Sequence, residues 1–83
     1  MTQEELLKEF ERCSGQLKSY ILRISGSAAD AEDIVQDTFI KASEKLAGFR
    51  GESSLKTWIF SIASNLAKDN LRVKRRWVEN VTD

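Results

Sequence analysis

Not one proline interrupts this chain, and apolar residues return at every third or fourth position through three long stretches. That pattern is the signature of amphipathic helix, and nothing in the interior of any stretch would break one. In the first stretch Leu6, Phe10, Cys13, Leu17, Tyr20, Ile21 and Ile24 form one stripe. It predicts a helix over about residues 3–24, with Gly15 as a weak point in its middle and "SGS" at 25–27 as its stop. The second stripe is Ala31, Ile34, Val35, Thr38, Phe39, Ala42 and Leu46. It predicts a helix over about 30–47, capped by Asp30, followed by acids that suit the positive end of the dipole, and ended by Gly48. Residues 48–53 read as a loop. Ser53 or Ser54 caps a third helix over about 54–77, with the stripe Leu55, Trp58, Ile59, Ile62, Ala63, Leu66, Val73 and Trp77. At 1.5 Å per residue this helix spans ~35 Å. Phe60, Ala67 and Leu71 lie outside that stripe, so the helix is either packed on two sides or offers a second contact to another protein. No strand-type alternation and no internal repeat occurs. The expectation is an all-α fold, a compact bundle of three main helices, in a chain of 83 residues that suffices for one small domain and not for two.

The residue inventory removes whole classes of chemistry. Histidine is absent and cysteine occurs once, at Cys13. The commonest general base, the commonest zinc ligand, any internal disulfide and any cysteine-based metal site go with them. There is no Gly-rich phosphate loop, and the acid pairs sit at helix starts or on exposed faces, so an enzyme is poorly supported. No cofactor, metal or small-molecule substrate is expected. The start, "MTQEELLKEF", lacks the basic-then-apolar order of a signal peptide, and the longest uncharged run, "TWIFSIASNLA", is too short to cross a bilayer. A soluble cytoplasmic protein with no membrane partner is therefore the default.

Net charge is zero but segregated. Residues 1–47 carry 6 basic and 9 acidic side chains, a net of −3, whereas residues 48–83 carry 7 and 4, a net of +3. Solvated helix faces are one reading, and two charged surfaces for two partners are the other. On the second helix, opposite the core stripe, lie Asp33, Gln36, Asp37, Ile40 and Glu44. An isoleucine ringed by acids and an amide is either an ordinary exposed side chain or the apolar centre of a polar-rimmed protein contact. On the third helix Thr57, Ser61, Asn65, Lys68, Arg72, Arg75 and Arg76 share a face, with Trp58 at its border. Basic residues near a helix C-terminus complement the dipole, but this leaves the neutral lane of Thr57, Ser61 and Asn65 unexplained. Small polar groups, an aromatic edge and a basic run beyond fit a nucleic-acid track, in which cations hold phosphates and amides or hydroxyls meet bases or sugars.

The stretch "DAEDIVQDTFIKASEKLAGFRGESSLKTWIFSIASNLAKDNLRVKRR" resembles region 2 of bacterial sigma factors of the extracytoplasmic-function (ECF) group. The pieces "AEDIVQDTFIKA", "FRGESSLKTWIF" and "IASNLAKDNLR" stand in that family's order and spacing, and the match covers about residues 8–77. The resemblance implies a promoter-recognition domain that works in transcription initiation. Its second helix would dock on the β′ clamp helices of core RNA polymerase, with Asp33, Gln36, Asp37 and Ile40 on the docking face. The loop at about 48–53 and the third helix would capture the non-template single strand of the promoter −10 element. By motif position Phe49 would line a pocket for a flipped base, Asn65 would hydrogen-bond that base, and Lys41 would lie close by. Phe49 and Asn65 are expected to face one cavity at the start of the third helix. Arg50, Ser61, Lys68, Arg72, Arg75 and Arg76 fall along the strand and its phosphates. Many relatives carry arginine where this chain has Ser61. Region 4, the helix-turn-helix that reads the −35 element in full sigma factors, has no counterpart in these 83 residues. The chain is then an isolated region 2 domain or a reduced sigma-like protein, whose promoter binding alone would be weak. The alternative from a different class is a sigma-like interaction domain that binds an anti-sigma factor. Salt-dependent binding to a single strand separates the two.

Overall fold

The computed structural model describes the backbone of residues 1–81 and the side chains of residues 1–71. Helix α1 runs Gln3–Ser25, α2 runs Ala28–Lys45 and continues into a 3₁₀ turn at Leu46–Gly48, and α3 runs Leu55–Val81. Each helix packs on the other two. This is the expected all-α, three-helix bundle, with no strand among the described residues.

Local chemistry sets the boundaries. Thr2 caps α1, its hydroxyl accepting the Glu5 amide hydrogen at 3.2 Å, and Glu4 and Glu5 sit at the positive end of the dipole. Gly26 ends α1 in the left-handed region (φ 72°) and donates its N–H to the Leu22 carbonyl at 2.8 Å. Only Gly26 and Ser27 separate the two helices. Ser27, not Asp30, is the N-cap of α2: its hydroxyl accepts the Asp30 amide hydrogen at 3.3 Å, and Asp30 is the third helical residue. The correction has a simple cause. The left-handed glycine reverses the chain so tightly that the next extended residue can already start a helix. Asp30 keeps its favourable place in the first turn of the dipole. The last turn of α2 tightens to 3₁₀ geometry, and the Phe49 amide closes it on the Leu46 carbonyl at 3.0 Å. Ser54 opens α3, accepting the Thr57 amide hydrogen on its hydroxyl and the Trp58 amide hydrogen on its carbonyl.

The core follows the stripes. Leu6, Leu17, Ile21, Ile59 and Thr38 are fully buried, and Phe10 meets Phe39 edge to face at 5.1 Å between ring centroids. Thr38 is the sole polar side chain buried among the described residues, and its hydroxyl donates to the Ile34 carbonyl at 2.6 Å. Ala31, Ala42, Ala63 and Ala67 are fully buried where the helices approach each other. Ala67, expected outside the main stripe, is therefore core. Phe60 lies against Tyr20 at 5.5 Å, with the Lys56 ammonium 5.8 Å from its ring. Helix α3 is thus packed by both neighbours, the first of the two readings its wide apolar face allowed. At the bundle's open edges Lys18 pairs with Glu32 at 3.0 Å between α1 and α2, and the Gln3 amide donates to the Ser43 carbonyl.

Candidate nucleic-acid interface

The loop from Phe49 to Ser54 is built around one aromatic contact. Phe49 leaves the 3₁₀ turn extended, Gly51 reverses the chain with φ 74°, and Ser54 hands it to α3. The positive φ at Gly51 needs a residue without Cβ strain. The Phe49 ring rests on Trp58, one turn into α3, at 4.9 Å and 38°. This contact fixes the loop and leaves an open cleft of about 440 Å³ lined by Gly48, Phe49, Arg50, Glu52, Ser53 and Trp58. Its size falls in the ~300–1,000 Å³ range of small-ligand clefts. Next to it, Lys45, Gly48 and Trp58 enclose a second hollow of about 380 Å³. Further along α3 a groove of about 170 Å³ is bordered by Lys41 and Lys45 of α2 and by Ile62, Asn65, Leu66 and Asp69 of α3.

The structure brings Lys41 and Asn65 together, and it does not bring Phe49 and Asn65 into one cavity. Phe49 lines the loop cleft, Asn65 lines the groove, and the Lys45–Trp58 hollow lies between them. The Phe49 ring rests on Trp58, and Asn65 lies two turns further along the helix. Arg50 is exposed at the mouth of the loop cleft, and Lys68 is exposed on α3. Ser61 is exposed, but its hydroxyl donates back to the Trp58 carbonyl at 2.7 Å, so towards a strand it offers lone pairs and not its proton. The side chains of Arg72, Arg75 and Arg76 lie outside the described residues.

On the other side of α2, Asp33, Gln36, Asp37 and Ile40 are all exposed, Ile40 at 53%. Gln36 and Ile40 continue into an apolar groove of about 420 Å³ between α1 and α2, completed by Leu7, Phe10, Val35 and Phe39. Leu7 is 45% exposed and contributes to a surface that single-helix periodicity had confined to α2. The only signal for it was the adjacent pair Leu6–Leu7, of which the stripe uses only Leu6. Lys45, which borders two of the three clefts on the loop side, also escaped the sequence reading.

Cys13 is buried, and burial, with a smaller contribution from the neighbouring Glu9 carboxylate, raises its thiol pKa above the ordinary value. It is a core side chain and not a reactive thiol. Among the described residues no group of three or more His, Cys, Asp or Glu is placed to hold a metal ion. No helix among them is long and apolar enough to cross a membrane.

The chain is a three-helix bundle with an acidic, apolar-centred face on α2 and an aromatic loop leading into a polar lane on α3. Residues 10–77 match the sigma-70 region 2 family, and the chain belongs to that family. Among its relatives, the ECF RNA polymerase sigma factor SigG of Mycobacterium tuberculosis is 43% identical over 61 residues, covering 74% of this chain and 16% of that protein. The ECF RNA polymerase sigma factor EcfG of Rhodopseudomonas palustris is 36% identical over 64 residues, 77% of this chain and 35% of that protein. A probable RNA polymerase sigma factor of Haemophilus influenzae is 39% identical over 70 residues, 84% of this chain and 36% of that protein. The chain thus spans roughly a third or less of the length of these relatives.

Proposed function

We propose that these 83 residues are a single region 2 domain of an ECF-type sigma factor. In this reading it joins core RNA polymerase to the single-stranded non-template −10 element of a promoter. The observation that carries the strand half of the proposal is the run of clefts from Phe49 and Trp58, past Lys45, to Lys41 and Asn65. Aromatic faces take unstacked bases of any identity, an amide discriminates among base edges, and lysines along the run supply cations for phosphates. Arg50 and Lys68 lie beside this run, and Arg72, Arg75 and Arg76 extend the basic track by sequence. The domain catalyses nothing itself; bond making belongs to the polymerase it recruits. It needs no cofactor and works in the cytoplasm.

The polymerase half rests on the α2 face. Asp33, Gln36, Asp37 and Ile40 dock on the β′ clamp helices, and the groove that Leu7 and Phe10 share with Ile40 widens this face from one helix to two. A polar rim around an apolar centre is the usual anatomy of such a contact. The same groove is the feature that favours the second reading, capture by an anti-sigma factor. The two readings separate on the loop side. A labelled single strand titrated at several salt concentrations should bind with an affinity that falls as salt rises, and a domain that only binds protein should show no such binding.

A further inference from the structure

The apolar groove between α1 and α2 has a floor of Phe10, Val35 and Phe39 and two half-exposed edges, Leu7 at 45% and Ile40 at 53%. Exposed carboxylates surround it. Glu11 stands one turn after Leu7 on α1, and Asp33, Asp37 and Glu44 share the Ile40 face of α2. Among the described residues none of these acids is in an ion pair, and both lysines of α1, Lys8 and Lys18, are already held by Glu4 and Glu32. The groove is therefore matched by an apolar helical stripe flanked by cations.

This chain carries such a stripe at its other end. Helix α3 runs on to Val81, and its last turns read "RVKRRWVENV", residues 72–81, with four cations and one acid. Val73, Trp77 and Val81 recur at every fourth position, and Lys74 and Arg76 fall on either side of them. The side chains of this segment lie outside the described residues, and the match rests on sequence register and charge. Ten residues of helix span ~15 Å, and α2 from Asp33 to Glu44 spans ~17 Å, so the lengths agree. The segment does not reach the groove of its own chain. Helix α3 packs on α1 and α2 from the core side, Ile40 stands opposite the core, and no glycine or proline follows Gly51 to turn the helix back.

We propose that the groove of one copy receives the 72–81 segment of a second copy, in a head-to-tail contact between an acidic groove and a basic helix end. Leu7 and Ile40 close on the Val73–Trp77 stripe, and the carboxylates around them meet Lys74 and Arg76. Charge decides the orientation. With a net −3 in residues 1–47 and +3 in residues 48–83, groove on groove would bring like charges together, and groove on helix end brings opposite ones. The contact covers the exposed α2 face and the basic end of α3 at once, so the self-associated form is closed to other partners of either surface. In the proposed function it is a reserve that core polymerase and a promoter strand each draw down, and the contact itself does not depend on that reading.

The test measures the mass of the 83-residue chain by sedimentation equilibrium. From about 10 µM to about 1 mM at low salt, the range for a small interface, the mean mass should rise above that of one copy, and it should fall back as salt screens the charges. Leu7→Gln with Ile40→Gln removes the edges of the groove, and Trp77→Ala removes the centre of the stripe. Each variant alone should weaken association by roughly 10-fold or more at unchanged helicity. Mixed together, the two should pair one to one again, because one supplies an intact segment and the other an intact groove. If Trp77→Ala lowers helicity, Lys74→Glu with Arg76→Glu takes its place, and a copy carrying Asp33→Lys with Asp37→Lys should restore pairing with it. A chain that keeps the mass of one copy throughout contradicts the proposal. So does association that survives the groove and segment variants, or a mixture that fails to pair, since either places the contact elsewhere.

Discussion

Thr38 lies in the middle of an otherwise apolar core, and its hydroxyl is satisfied by the Ile34 carbonyl one turn back, so it leaves no buried donor stranded. Cys13, on the facing helix, is the other core residue with a chemically distinct side chain. Its thiol pKa is raised by burial first and by Glu9 second, from an ordinary value of 9.0. The sign of the linkage follows. Above pH 9.0 the unfolded chain releases this proton while the folded chain still holds it, so the contribution to stability is intact below that pH and declines as pH rises towards the folded pKa. Native Cys13 should also resist iodoacetamide at pH 8 and react at the rate at which the domain opens. Rapid alkylation of folded protein would contradict its placement in the core. Periodicity placed Cys13 and Thr38 correctly, because burial on a helix is written in the spacing. It could not place Lys45 or Leu7. Their positions on a shared cleft depend on which face of α2 meets α3 or α1, and that is a property of packing, not of one helix.

At the scale of elements, the two helix junctions were legible to different degrees. The stop at "SGS" was clear, but which residue caps α2 depended on how tightly Gly26 turns the chain, and no propensity encodes that. Gly15 and Gly26 now make opposite predictions. Gly15 is an exposed interior position of α1 with open space where a Cβ would stand, so Gly15→Ala should stabilise by about 0.5–1 kcal/mol. Gly26 has equal space but φ 72°, so Gly26→Ala should destabilise by about 1–2 kcal/mol. For a domain of this size each kcal/mol moves Tm by about 4–8 °C, so the two variants should fall on opposite sides of wild type in a thermal melt. The loop before α3 was recognised as a loop, yet its shape was not predictable. The Phe49–Trp58 contact shapes it, and Phe49 lines the loop cleft while Asn65 borders a different groove. The basic end of α3 carries its own prediction. Replacing Arg75 and Arg76 with Ala should weaken binding to all single strands about equally and lower the salt slope by roughly 1–2. A change in base preference would mean that these arginines read bases.

For the whole molecule, the segregated charge becomes a division of labour in the proposed function. The acidic half supplies α1 and α2, which share the apolar groove, and the basic half supplies the loop and α3, joined on the strand side by Lys41 and Lys45 of α2. One small core holds the two surfaces on opposite sides of α2, so each should be removable without harm to the other. Ile40→Arg combined with Asp37→Lys changes exposed side chains and should abolish capture by core polymerase while leaving the melt nearly unchanged. Surviving capture would make this face merely solvated. In the proposed function, however, the loop side reads bases and does not just attract phosphates. Asn65 is exposed, so Asn65→Ala should keep stability within about 0.5 kcal/mol of wild type. The most direct measurement titrates wild type and Asn65→Ala with the preferred strand and with a scrambled strand of equal length, at one fixed salt concentration. The expected result is a loss of about 1–3 kcal/mol on the preferred strand and almost none on the scrambled one. Equal losses on both strands would contradict base reading and leave only an electrostatic track.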